Sequence, residues 1–318
     1  MTAHHHTARD ISYADAAESR GGRLMIRLME NATGRLGLIR RAKGYDVELA
    51  QGRDFWSVIM ERYGLTLEVL AGSLQNIPRN GPVVLVANHP YGILDGLMMG
   101  HMLQQARGDF RILAHQVFRN AGELNRVVLP VDFAGTKEAL RTNIETRRTA
   151  LEYLGQGGAV GIFPGGTVST AARPFSRPMD PGWRSFTARM LAKSNAVAVP
   201  VYFDGHTSRL FQIASHLHTT LRMGLLIKEF RTRVGSPVRV VVGEPIGRDV
   251  LDPLAGDARM IMTCLRQATY ALAPEPMDPE MLGFEFEAKH RAGDPSRAVC
   301  AAAAPCQAKG VDLSGKAT

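Results

Sequence analysis

The chain has 318 residues, 45% hydrophobic and 21% charged, enough to bury one large domain with small appendages. No run reaches the roughly 18–20 apolar residues of a spanning helix. The start, Met1-Thr2-Ala3-His4-His5-His6, lacks the basic and apolar regions of a signal peptide, so the sequence predicts a cytoplasmic protein. A net charge of +8 predicts attraction to anionic partners. With no aromatic-interleaved basic motif, nucleic acid is not among them.

In chain order, residues 1–20 read as a mobile polar terminus. Residues 21–74 read as a helical segment. Within it Leu24, Met25, Leu28, Met29, Leu36 and Ile39 recur at roughly helical spacing, with Gly34 and Gly37 as breaks. Over residues 20–43, Arg20, Arg23, Arg27, Arg35, Arg40, Arg41 and Lys43 stand against the single Glu30, a net +6. A basic amphipathic helix of this kind can lie in an anionic membrane interface, or pack its apolar stripe on a core; the expectation adopted is membrane docking. A second helix is predicted near Phe55–Tyr63.

From residue 75 to 289 the reading is one α/β domain. Short β-rich runs at Val83–Ala87, Arg111–Ala114, Val127–Val131, Ala159–Phe163, Ala196–Tyr202 and Val238–Val242 alternate with helical segments such as Lys137–Leu154 and Asp257–Leu272. Such alternation predicts a mainly parallel sheet flanked by helices. Residues 290–318, Ala-rich and turn-rich, read as a disordered tail. The three cysteines, Cys264, Cys300 and Cys306, form no ligand-spaced cluster and no evident disulfide framework; no metal is expected, and a reducing compartment fits.

The strongest local signal is Ala87-Asn88-His89-Pro90-Tyr91-Gly92-Ile93-Leu94-Asp95-Gly96, directly after an apolar strand. Strand ends are where open α/β sheets place ligands. His89 and Asp95 there can form a base and its orienter. An alcohol is a poor nucleophile near pH 7, and a neutral imidazole can take its proton as it attacks, while a carboxylate stabilises the imidazolium. A second apolar strand opens into Phe163-Pro164-Gly165-Gly166-Thr167-Val168-Ser169, whose glycines let backbone N–H groups approach an anionic or carbonyl oxygen. Leu129-Pro130-Val131-Asp132-Phe133 and Ala198-Val199-Pro200-Val201-Tyr202 are two further strand ends.

Taken in order, these four motifs resemble those of the glycerolipid acyltransferases, the family that includes 1-acylglycerol-3-phosphate acyltransferases, over roughly residues 75–250. The resemblance implies that His89 is the base and Asp95 its partner. It also implies that Asn88, Gly165, Gly166, Thr167 and Pro200 bind substrate. No cofactor is implied, only acyl carrier protein or coenzyme A thioesters as co-substrate, and a basic surface suits an acidic carrier.

The chain departs from the family's pattern in four places, the last three of which bear on the acceptor. One residue is inserted between His89 and Asp95, apparently at Gly92, so the loop must bulge. Phe133 and Val168 stand where the family carries arginines assigned to a phosphate, and Gly165 replaces its glutamate. The chain thus resembles the branch that includes ornithine-lipid O-acyltransferases, and the expected acceptor is a lyso-aminolipid such as lyso-ornithine lipid. The alternatives are phosphatidic acid formation with the phosphate held by Arg119, Arg126 or Arg173, and a catalytically silent lipid-binding membrane protein. A peripheral place on the inner face of the cytoplasmic membrane is expected.

Overall fold

The computed structural model describes residues 12–17, 19–115, 122–132 and 136–286. The strands are β1 (Thr66–Gly72), β2 (Val83–Ala87), β3 (Arg111–His115), β4 (Val128–Val131), β5 (Ala159–Ile162), β6 (Thr170–Ala171), β7 (Pro178–Met179), β8 (Val197–Phe203) and β9 (Pro237–Val242). Helices α1 (Arg20–Thr33), α2 (Arg35–Ala42), α3 (Tyr45–Ala50) and α4 (Phe55–Tyr63) precede β1, and α5 (Ile93–Arg107) follows β2. Then come α6 (Lys137–Gly155), α7 (Phe186–Ala192), α8 (Arg209–Leu217), α9 (Thr219–Arg233), α10 (Arg248–Leu251) and α11 (Ala258–Tyr270).

The main sheet has the order β1-β9-β8-β2-β5-β3-β4, and β6 pairs with β7 separately. All main-sheet pairings are parallel except β8 with β9, so β9 and β1 run against the other five strands. This is the mainly parallel, helix-flanked sheet that the alternation of elements predicts. β2 lies centrally, buried along its whole length. Its Val83, Leu85 and Ala87 join the core shared with α1, α4, α5 and α9, while Val84 and Val86 join the opposite core with α6, α7 and α11. Residues apolar on both faces are what a doubly covered strand requires, and burying each such side chain contributes about 1.5–3 kcal/mol.

Several helices start where the sequence supplies a side-chain cap. Asp54 accepts from Ser57 N–H at 2.8 Å to open α4, and Thr136 accepts from Ala139 N–H at 3.1 Å to open α6. α9 carries Gly224 against α1, where a Cβ would come within 2.9 Å of Met29 Sδ, so the two helices approach more closely than a larger residue would allow.

The N-terminal part differs from expectation in three ways. Residues 12–14 are not part of a mobile terminus: they are buried, Glu30 accepting from Ser12 Oγ at 2.6 Å and Tyr13 N–H at 2.7 Å. Residues 21–74 are not separate from the sheet, because β1 pairs with β9 along its edge. The expected apolar stripe is divided: on α1 Ile26 is buried, whereas Leu24 and Leu28 are 62% and 61% exposed and Met25 is half exposed, as is Leu36 on α2. Cys264 on α11 is disulfide-bonded, which three scattered cysteines give no reason to expect. Residues 1–11 and the tail over 290–318 lie outside the described residues. Among the described residues no helix is long and apolar enough to cross a membrane, and no three His, Cys, Asp or Glu side chains group as a metal would need.

Candidate active site

β2 and β5 are neighbours in register, so the loops leaving their C-terminal ends meet. The residue inserted between His89 and Asp95 is absorbed at Gly92, whose φ of +80° places it in backbone space that favours glycine. Gly92 caps α5 and puts Asp95 in the helix's first turn. There the fully buried Asp95 Oδ2 accepts from Tyr91 N–H at 2.8 Å and Gly92 N–H at 2.9 Å, and lies 3.0 Å from His89 Nδ1. The ring nitrogen is at hydrogen-bond distance but off the line of a good bond; such contacts often tighten only when substrate is bound. Burial pushes the Asp95 carboxyl above the usual aspartate range, resisted by His89 and the two N–H groups.

Phe163 stacks on the His89 ring, centroids 4.3 Å apart and 26° from parallel, and Ser169 N–H donates to His89 O at 2.8 Å. The glycine loop after β5 is thereby fixed to the loop after β2. Asp180, which no sequence pattern singles out, joins them from behind. Its Oδ1 accepts from Ser169 Oγ at 2.5 Å and from His89 N–H at 3.2 Å, and its Oδ2 from Trp183 Nε1 at 2.9 Å. Asp180 is fully buried. A Cβ at Gly165 would stand 3.2 Å from the Asp180 carboxyl carbon, so the space beside Gly165 already holds a carboxylate supplied by another part of the chain.

His89 opens onto a cavity of about 1360 Å³ that reaches between the N-terminal helices and α9, with Leu38, Ile59, Tyr63, Leu226, Ile227 and Phe230 along it. That volume and lining suit a long apolar chain. Gly165, Gly166 and Thr167 line it. Asn88 and Pro200 do not. Asn88 Nδ2 donates to Phe203 O at 2.9 Å and its Oδ1 accepts from Phe203 N–H at 2.7 Å, which consumes its amide in fastening β2 to β8. Pro200 sits inside β8 opposite Val86. Both are structural where substrate binding was expected. Phe133 and Arg119 lie outside the described residues, and neither Arg126 nor Arg173 lines the cavity. Arg222 does, although no motif points to it.

A family model described as "Acyltransferase" matches residues 45–278. The chain belongs to this acyltransferase family. Among curated proteins it is 25% identical over 161 residues to a lyso-glycine lipid O-acyltransferase of Phocaeicola vulgatus, covering 50% of this chain and 54% of the relative. A protein of the same description from Bacteroides thetaiotaomicron is 25% identical over 162 residues, covering 50% and 56%. The chain thus spans about half the length of the curated relatives it matches. Among solved structures, the 1-acyl-sn-glycerophosphate acyltransferase of Thermotoga maritima matches with a TM-score of 0.40 at 18% identity, over 75% of this chain and 92% of the other.

Proposed function

We propose that this acyltransferase moves a fatty acyl chain from an acyl carrier protein or coenzyme A thioester to the free hydroxyl of a lyso-aminolipid, an amino acid N-linked to a 3-hydroxy fatty acid. The observation that carries the reading is the contact of a buried Asp95 with His89, whose side chain lines a large, mainly apolar cavity. With Nδ1 turned to Asp95, His89 Nε2 is left to take the acceptor's hydroxyl proton. The alkoxide oxygen attacks the thioester carbonyl, a C–O bond forms as the C–S bond breaks, and the departing sulfur recovers the proton from the imidazolium. Asp95 stabilises that imidazolium, and the donor is a co-substrate, so the scheme calls for no cofactor.

The lyso-glycine lipid acceptor in the names of the two curated relatives supports the amino-acid headgroup class, of which lyso-ornithine lipid is another member. Val168 and Gly165, standing where the resemblance leads one to expect a phosphate-binding arginine and a glutamate, weigh the same way. Leu24, Met25 and Leu28, exposed beside Arg20, Arg23 and Arg27 on α1, support docking of this face on an anionic membrane, with the arginines at the headgroups. Cavity-lining Arg23, Lys137 and Arg147 would favour donors that carry phosphate.

The test is kcat/KM for lyso-glycine lipid, lyso-ornithine lipid and lysophosphatidic acid, with matched chains and one thioester donor. A preference of about 100-fold or more for either aminolipid is expected, roughly 2.7 kcal/mol of discrimination. Equal rates, or a preference for lysophosphatidic acid, would overturn the acceptor, and no transfer to any of the three would leave a lipid-binding protein.

A further inference from the structure

Arg222, in the first turns of α9, is 2% exposed. Its Nη1 donates to Thr170 Oγ1 at 2.7 Å and Ser215 Oγ at 2.9 Å, and its Nη2 to Thr167 Oγ1 at 2.9 Å and Val168 O at 2.8 Å. Every one of these acceptors is neutral. The rings of Phe211 and Phe286 lie on the guanidinium at 4.9 and 4.2 Å. Among the described residues no carboxylate comes within ion-pair reach of it. Burial accordingly pushes the guanidinium below its ordinary range. Holding the glycine loop against α8 and α9 needs donors, and neutral donors would serve. A buried cation without a counter-ion is costly unless something brings the negative charge.

The donors that could receive such a charge are on the same loop. Thr167 Oγ1 accepts from Arg222, so its own hydroxyl proton is free to be donated elsewhere. Among the described residues, Arg222 Nε–H and the backbone N–H groups of Gly165, Thr167 and Val168 have no hydrogen-bond acceptor. Arg222, Gly165 and Thr167 line the cavity that His89 opens onto, and Ser169 N–H ties the loop to His89 O. We propose that Arg222, with the Thr167 hydroxyl and the open N–H groups of residues 165–168, forms the subsite for the carboxylate of the acceptor's amino-acid headgroup. One guanidinium that already spends three N–H groups on residues 167–170 and a fourth on Ser215 of α8 matches a single negative charge. A phosphate monoester, with close to two charges and three acceptor oxygens, is less well matched. This inference rests on the lyso-aminolipid reading and names the group that recognises its headgroup.

The test uses the full chain and two ligands without the accepting hydroxyl, N-palmitoylglycine and N-palmitoylglycinamide, which report binding alone. By titration calorimetry the wild type should bind the acid about tenfold or more tightly than the amide, each factor of ten being about 1.4 kcal/mol. Arg222→Gln should bring that ratio to near one, Arg222→Lys should keep part of it, and Thr167→Val should reduce it with Arg222 still in place. Should Arg222→Gln fail to fold, Thr167→Val decides. A wild-type ratio near one overturns the proposal, as does a full ratio kept by the variants. Loss of turnover in Thr167→Val with the acid preference intact would instead assign the loop to the transition state. If lyso-glycine lipid is not acylated while the acid preference holds, the reaction falls and the subsite stands; if it is acylated with acid and amide bound alike, the subsite alone falls.

Discussion

The loops after β2 and β5 are neighbours, yet they obtain their charged groups differently. The loop after β2 carries its own: His89 and Asp95 are six residues apart, and the N–H groups that hold the carboxylate belong to Tyr91 and Gly92 between them. The loop after β5 carries none. Its carboxylate comes from Asp180 and its guanidinium from Arg222, on other elements. A site built within one loop can be read from a short motif, whereas a loop of small residues shows only that space has been left for groups from elsewhere.

Breaking the self-contained loop should have the largest effect. His89→Ala should lower kcat/KM by about 10²–10⁴-fold with the circular dichroism spectrum unchanged, since the side chain is removed from a cavity wall and not from the core. Activity within threefold of wild type in a folded variant would refute the base. The borrowed loop should instead fail through stability. Asp180→Ala leaves Ser169 Oγ, His89 N–H and Trp183 Nε1 without their acceptor and should cost about 3–5 kcal/mol in urea unfolding. A loss under about 1 kcal/mol would show that the two loops hold together without it.

Asp95→Asn separates function from stability. Burial raises the Asp95 carboxyl above its ordinary value of 3.8 in the folded state. The wild type therefore has that group's full stability below 3.8 and loses some as pH rises through the raised folded value, because the unfolded chain ionises first. Asparagine has no such titration, so the melting temperature of Asp95→Asn relative to wild type should climb from pH 4 to pH 7 while turnover collapses. A flat or falling difference would mean that the His89 contact outweighs burial. The smallest expected effect is at the surface: Leu24→Asn with Leu28→Asn should change stability by less than about 0.5 kcal/mol yet weaken sedimentation with anionic liposomes. Undiminished sedimentation would remove α1 as the docking face.

The fold is legible where a strand carries a run of buried apolar residues. β2, β3, β4, β5, β8 and β9 all fall within a residue or so of the runs read for them. β1 escaped because an edge strand with alternating exposure, Thr66–Gly72, carries a weak apolar signal. α5 escaped because its buried residues surround the helix and leave no periodic stripe. In the site, the meeting of His89 with Asp95 and the bulge at Gly92 were legible because all the parts are local. Asn88 was misread, since nothing in the sequence distinguishes an amide facing substrate from one that clasps a neighbouring strand. Asp180 and Arg222 were invisible because the site residues they hold, Ser169 and His89 for Asp180 and residues 167–170 for Arg222, lie 11, 91 and 52–55 residues away, in contacts that only the assembled sheet creates.

The proposed acyl transfer is tested most directly by following both products at once. Wild-type protein is incubated with palmitoyl acyl carrier protein and lyso-glycine lipid; free thiol is measured, and the lipid is identified by mass spectrometry. One ester on the 3-hydroxyl is expected for each thiol released, and neither product from His89→Ala above background. Thiol released without ester, or ester formed equally well by His89→Ala, would contradict it.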